Sequence, residues 1–375
     1  MKLFGRKSGG AAARPALLRA PWGALTIGDW PRGYEAQIRA GYIDNPVGQR
    51  AVRLMSESAD AAPLAGDRRG LALCNASSAG QSLIETAAAH LLLHGNAFIQ
   101  ILCDAEGAPA ELFALRPERV TIEPDAQGWP AAYRYRVGEK TMRLEAKDGL
   151  GKPSLVHIRA MHPLDDHYGL GALGAAAGAI AIHNAATRWN KALLDNAARP
   201  SGALVYDPGD PGAALSGEQF DRLKEEMEAG FAGAANAGRP MLLEGGLKWQ
   251  AMSLTPADMD FVGLKAAAAR EIALAFGVPP MLLGLPGDNS YANYREANRA
   301  LWRLGVLPLA GKILGSIAQG LANWWPDTAL TVDLDKVPAL SEDREKLWAQ
   351  VSTADFLSPE EKRAILGIEE PRVGT

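Results

Sequence analysis

The sequence predicts an α+β fold, and three observations carry the prediction. Short apolar strands bounded by turn residues crowd between positions 98 and 158. Segments of helical periodicity flank them on both sides. Two long helical stretches further on bracket a small mixed insert. The 375 residues suffice for about two or three domains, each with its own core.

Taken in order, residues 1–25 read as a flexible arm. Residues 45–59 form a helix with Val47, Ala51, Leu54 and Met55 on one face, stopped by Pro63. Residues 82–94 form the next, and Gly95-Asn96 supplies a left-handed stop. A β-meander follows at 98–103, 111–115, 120–122, 132–137 and 155–158, with a turn at 104–109 and Pro117 as a boundary.

The middle is organised differently. Residues 173–198 form a helix ending at Arg199-Pro200. Thr255-Pro256-x-Asp258 opens another, with threonine as N-cap and proline at the first helical position, and it runs to Phe276. The insert between them holds a strand at 203–206 and a helix opened by a capping box, Ser216-x-x-Gln219. Phe220, Leu223, Met227 and Phe231 form that helix's apolar stripe, and a Gly/Ala-rich loop at 229–238 and strands at 240–243 and 248–254 follow. Two helices around such an insert suggest a stalk with a knob at its end.

Gly277-Val278-Pro279-Pro280 closes the stalk, and the longest helical pattern, residues 294–325, comes next. Tyr294, Ala297, Leu301 and Leu304 precede Pro308, which is expected to kink it, and Ile313, Ile317 and Leu321 continue the face. Trp324-Trp325 at its end reads as core. A strand at 330–334 and two helices finish the chain, the last opened by Ser358-Pro359-Glu360-Glu361, where cap, proline and capping-box glutamate agree.

Composition narrows the function. Apolar residues at 47% and charged residues at 22% describe a soluble globular protein. A net charge of -4 lacks the basic footprint of a protein that grips nucleic acid. Cys74 and Cys103 have neither metal-site nor redox spacing, which fits a reducing cytoplasm. Lys2, Arg6, Lys7 and Arg14 are not followed by the apolar stretch of a secretory signal. Residues 168–187 carry no charge, but their Ala/Gly composition with His183 and Asn184 suits a buried helix better than a membrane span.

Catalytic chemistry finds little support. His157, His162, Asp165, Asp166 and His167 cluster around Pro163 in what reads as a loop, without a histidine pair at helical spacing inside the cluster, so loop packing fits better than a metal site. Gly169-x-Gly171-x-x-Gly174 matches the dinucleotide fingerprint literally, but no strand runs directly into it, and close packing explains the glycines better. Asp258 and Asp260 sit at a helix start, where capping accounts for them. There is no Gly-x-Ser-x-Gly elbow, Walker loop or His-Glu-x-x-His.

Four stretches together resemble the portal family of long-tailed phages and related gene transfer agents. They are Asn45-Pro-Val-Gly-Gln-Arg-Ala-Val-Arg leading to Ala62-Pro63-Leu64, and His90-Leu-Leu-Leu-His-Gly-Asn-Ala-Phe-Ile-Gln-Ile with Gly107-Ala-Pro-Ala-Glu-Leu and Leu115-Arg-Pro-Glu-Arg-Val. Gly277-Val-Pro-Pro-Met-Leu-Leu-Gly with Tyr291-Ala-Asn293, and Phe356-Leu-Ser-Pro-Glu-Glu-Lys-Arg-Ala-Ile-Leu-Gly, complete the set.

The resemblance implies a structural ring, not an enzyme, with no cofactor. It implies a portal fold: an α/β wing at 26–168 and 293–339, stem helices at 169–198 and 255–276, and a clip at 199–254. A channel loop at 277–292 and a short helical crown at 340–375 complete it. The ring, a dodecamer in the mature particle, would sit at one capsid vertex of a virion or phage-like particle made in the host bacterial cytoplasm. Its partners would be the major capsid protein, the large terminase subunit, the head–tail adaptor and double-stranded DNA in transit, with no membrane.

On this sequence, Asp288, Asn289, Ser290, Tyr291 and Asn293 would face DNA from the channel loop. Glu225, Glu228, Asn236 and Arg239 would present the clip surface to terminase or adaptor. Two other readings stay open: a metal-dependent hydrolase using His162, Asp165 and His167, and a ring-forming scaffold outside any phage.

Overall fold

The computed structural model describes residue 17 and residues 33–195, 202–206, 215–231, 247–251, 260–285 and 290–367. Contacts divide the chain into two units, residues 1–177 with 273–375, and residues 178–272.

The first unit opens with α1 (Tyr34–Ile38), prolonged by a π turn at Arg39–Ile43. Helix α2 (Pro46–Asp60) follows, and the Asn45 side chain caps it by accepting from the amides of Val47 and Gly48 at 3.1 and 2.9 Å. Its buried face is Gly48, Ala51, Val52, Met55 and Ala59, so Val47 and Leu54 lie at the margins of the expected stripe. Strand β1 (Leu64–Gly66) and helix α3 (Arg68–Asn75), capped by Asp67, come next. Both escape the sequence reading because neither is long enough to display a period. A two-residue hairpin pair, β2 (Ser77–Ser78) and β3 (Gln81–Ser82), leads into α4 (Leu83–His94). Gly95 stops α4 in the left-handed conformation, φ 82°, as its sequence position predicts.

The strands do not form one meander. Strands β4 (Asn96–Cys103) and β5 (Pro109–Leu115) pair, but β6 (Val120–Pro124), β7 (Pro130–Val137) and β8 (Lys140–Glu145) make a separate three-stranded sheet. Strand β9 (Leu155–Arg159) then returns to the far edge of β4, giving the order β5-β4-β9. β8 was missed because it is polar and almost wholly exposed, which removes the alternation that marks a half-buried strand.

Both faces of β4 are covered. Phe98 points toward the second sheet and joins Leu115, Val120, Ile122, Tyr133, Leu155 and Tyr168 in one core. Ala97, Ile99 and Ile101 point the other way. On that side the helix at Leu307–Leu321 lies so close that a β-carbon at Gly320 would press on Val156 and touch Ile101. The first unit is therefore helices, sheet and second sheet in layers.

Helix α5 (Ala172–Ala175) ends at Ala176, so the expected helix from 173 is interrupted before α6 (Ala177–Asp195). In the second unit α6 is followed by β10 (Gly202–Tyr206), α7 (Gly217–Phe231) and β11 (Leu247–Ala251), which pairs antiparallel with β10. The capping box of α7 is present: the Ser216 amide donates to Gln219 at 2.9 Å, and the Gln219 amide to Ser216 at 3.3 Å. Phe220 of the expected apolar stripe is exposed on this chain. Helix α8 (Phe261–Ala275) starts at Asp260, whose side chain caps it through the Gly263 amide. The Trp189 and Phe261 rings stack at 4.1 Å within the unit. The expected start at Thr255-Pro256, the strand at 240–243 and the 1–25 arm lie outside the described residues, except Leu17. The Leu17 amide donates to the Gln127 carbonyl at 3.1 Å.

The long helix after α8 has three parts: α9 (Tyr291–Leu301), a π turn at Trp302–Val306, and α10 (Leu307–Leu321). The π turn is how the chain accommodates Pro308. Proline brings no amide and crowds the carbonyl four residues back, and here that carbonyl belongs to Leu304 inside the widened turn. Ile313, Ile317 and Leu321 are buried as expected, but Tyr294 and Leu304 are exposed. By length and composition Tyr291–Leu321 could cross a membrane, yet α10 spends its apolar face on the core instead. Trp324 and Trp325 are half-buried rather than core. The Trp324 indole donates to the Gly107 carbonyl at 2.7 Å, and Arg69 lies over the Trp325 ring. Strand β12 (Leu330–Val332) pairs with β1, and α11 (Ser341–Thr353) and α12 (Pro359–Leu366) close the chain. The capping box of α12, Ser358 with Glu361, is formed as predicted.

Candidate functional site

The loop between α8 and α9 is shaped by backbone chemistry. Gly277 adopts φ 68° after α8, a short helical turn spans Pro280–Leu283, and Gly284 closes it at φ 73°. Asp288 and Asn289 lie outside the described residues. Ser290 caps α9, accepting from the Asn293 amide at 3.2 Å, so at least part of its presence is explained by helix initiation. Tyr291 is 82% exposed.

Helix α9 and the π turn that follows it carry a feature that sequence reasoning missed. Arg295, Arg299 and Arg303 recur every four residues, and all three meet carboxylates at the start of α11. Arg295 Nη1 lies 2.8 Å from Glu342 Oε1, and Arg299 Nη2 lies 3.0 Å from Glu342 Oε2. Arg299 also reaches Glu296 at 2.9 Å, and Arg303 pairs with Asp343. The arginine spacing was visible; its partners, some forty residues away, were not. The result is a helix leaving the loop whose positive charge is matched side chain by side chain.

In the insert, Glu225 is exposed on α7 beside Glu218, Asp221 and Glu226, with Arg222 and Lys224 interspersed. Arg222 pairs with Glu226 at 3.3 Å. The side chain of Glu228, and Asn236 and Arg239 altogether, lie outside the described residues. The four clip residues are therefore not brought together by what is described.

The His/Asp stretch folds as a loop whose polar atoms hold backbone. Asp165 accepts from the amides of His167 and Tyr168 at 2.7 and 2.9 Å, and His162 Nδ1 accepts from the Leu164 amide at 3.0 Å. His167 Nε2 donates to the Gly128 carbonyl at 2.6 Å. His157 belongs elsewhere, stacked on Phe98 at 4.3 Å and bonded to the buried Asn96 at 3.0 Å. Burial lowers its pKa to about 3, keeping the ring neutral. Among the described residues no three His, Cys, Asp or Glu side chains converge on a point a metal could occupy.

The glycine fingerprint is a packing device. Gly169 and Gly171 lie against Gly95 and Leu93 at the end of α4, and a β-carbon at 171 would stand 2.5 Å from the Leu93 carbonyl oxygen. Gly174 meets nothing.

Comparison with known proteins agrees with this architecture. Residues 46–367 match the family of phage portal proteins. A chain in the neck of a native gene transfer agent particle, determined with C12 symmetry, is 48% identical, with 91% of this chain and 94% of that one covered and a TM-score of 0.69. An uncharacterized protein of Rickettsia felis is 40% identical over 369 residues, 92% of each chain. The crystal structure of an HK97 family phage portal protein from Corynebacterium diphtheriae shares the fold at 19% identity and a TM-score of 0.59, covering 83% of this chain and 100% of that one. With the family model covering most of its length and the fold shared with solved portal chains, this chain belongs to the phage portal protein family and has the portal fold.

Proposed function

We propose that twelve copies of this chain form the portal ring at one vertex of a phage or gene-transfer-agent capsid, and that double-stranded DNA is packaged and ejected through its centre. The observation that carries the reading is the 48% identity to a particle-neck chain determined with C12 symmetry, over nearly the full length of both. In this reading the sheets and helices of 26–168 and 293–339 form the wing, 169–198 and 255–276 the stem, 199–254 the clip, 277–292 the channel loop and 340–375 the crown.

The protein acts by geometry and not by catalysis. A channel wall rich in unpaired Lys and Arg would bind the DNA backbone by counterion release and hold it. The pairing of Arg295, Arg299 and Arg303 with Glu342 and Asp343 supports a wall that lets DNA slide. Asp288, Asn289, Ser290, Tyr291 and Asn293 give the loop a polar, non-gripping surface. The clip, with Glu225, Glu228, Asn236 and Arg239 on its surface, docks the large terminase subunit during packaging and the head–tail adaptor afterwards.

The test is the native mass of the purified full chain with negative-stain images of the same fraction. Rings with a central hole support the reading. A monomer that stays monomeric when scaffold or major capsid protein is added overturns it.

A further inference from the structure

Helices α11 and α12 are joined by a turn with a fixed shape. The Ala354 amide donates to Val351 and the Leu357 amide to Ala354, and the Ser358 capping box starts α12 at once. The Arg344 guanidinium ties the far end of α12 back to α11, donating to the Leu366 carbonyl at 2.8 Å. Phe356 sits at the tip of this braced turn and is 86% exposed. A rigid, solvent-facing phenyl ring is a costly arrangement for an isolated subunit and a normal one for an interface anchor.

The same unit holds a cleft of about 470 Å³ between α10, α11 and the chain before α11. Leu307, Leu334, Leu340 and Leu347 line it, with Lys346 and Gln350 at α11. Of the cations that line it, Arg303 pairs with Asp343 and Arg344 with Asp335 at 2.5 Å, which leaves the exposed Lys346 as the charge the cleft offers a partner. The tip of the knob leads with carboxylates, Asp355, Glu360 and Glu361, while the next cation, Lys362, is turned back to the Ser352 carbonyl at 3.2 Å.

A cyclic ring is built from heterologous contacts, in which one patch of a subunit meets a different patch of the next. We propose that Phe356 of each copy seats in the leucine-lined cleft of the adjacent copy, with Asp355 and Glu360 facing Lys346. This contact rests on the ring reading above and names one of its joints. A second copy is the occupant because knob and cleft complement each other in polarity and charge, and because Phe356, exposed on its own chain, does not fill the cleft beside it.

The experiment uses the full chain with Cys103→Ser, which removes the exposed thiol. Phe356→Cys combined with Gln350→Cys, treated with a short bis-maleimide, is expected to give a denaturing-gel ladder that climbs one subunit at a time. Neither single-cysteine variant gives one. Phe356→Asp is expected to raise the concentration for half-assembly at least about tenfold, with an unchanged thermal melt. Lys346→Glu weakens assembly less, and adding Asp355→Lys restores it. A wild-type chain that never forms rings overturns ring and joint together. Wild-type rings with no ladder, and with Phe356→Asp assembling at the wild-type concentration, overturn the joint alone. If the thiol of Gln350→Cys also stays open to a mono-maleimide in those rings, the cleft belongs to a partner outside the ring.

Discussion

Gly169 rests directly on Gly95. The Ala160 amide donates to the Gly95 carbonyl at 2.7 Å, and a β-carbon on Gly169 would overlap that same carbonyl oxygen. This contact fixes the path of the chain between β9 and α5.

Gly169→Ala is therefore expected to lower stability by about 3 kcal/mol, because backbone and not a movable side chain blocks the new methyl. Gly174→Ala, in open space on α5, stays within about 0.5 kcal/mol of the parent or gains slightly from helix propensity. Urea melts of the two variants decide it; equal effects would refute the packing account of the fingerprint.

Acid should unfold this protein through its neutral histidines. Burial lowers the pKa values of His90 and His94 to about 4 and of His157 to about 3, each from an ordinary 6.5. The unfolded chain thus binds more protons from pH 6.5 down to those values. Stability is full above 6.5 and falls as pH drops, each histidine adding a slope of up to ~1.4 kcal/mol per pH unit. His90→Leu should flatten the profile, since it removes one of these buried titrations and His90 Nδ1 has no hydrogen-bond partner among the described residues. Melts between about pH 7 and pH 4.5 measure it.

The arginine ladder should be unequal along its length. Arg299 is only 13% exposed and bridges Glu296 and Glu342, so Arg299→Ala is expected to cost about 2 kcal/mol. Arg295 is half-exposed, and Arg295→Ala costs less than about 1 kcal/mol. Thermal melts at low and high salt separate them, because only the exposed pair is strongly screened.

In the loop, Tyr291→Ala should leave stability within about 0.5 kcal/mol, since the ring packs on little of its own chain. The proposal is that Tyr291→Ala and Asp288→Asn alter DNA packaging while rings still assemble. Ring yield by native mass and packaged DNA per particle are the two readouts; loss of the ring would move these residues from channel to scaffold.

What could be read from sequence was local. Asn45, Ser216 with Gln219, and Ser358 with Glu361 announce their helices within four residues, and Gly95 announces a stop. Pairings between distant segments could not be read. Nothing in Leu64–Gly66 names Leu330–Val332 as its partner, and nothing in β9 says that it returns to β4 past a whole second sheet. Strand β8 was silent because an edge exposed on both faces needs no alternation. At the site, the polar character of the loop and the spacing of the arginines were legible, whereas the carboxylates that neutralise them arrive from another helix.

The π turn at Trp302–Val306 acts as a phase shifter. One residue of helix corresponds to about 100° of rotation, so the extra residue swings the faces of α9 and α10 apart by roughly a quarter-turn. One rod can then serve two surfaces, offering arginines to α11 with its first half and isoleucines to the core with its second. A chain shortened by a single residue here would be a straighter rod with one of those surfaces turned to water.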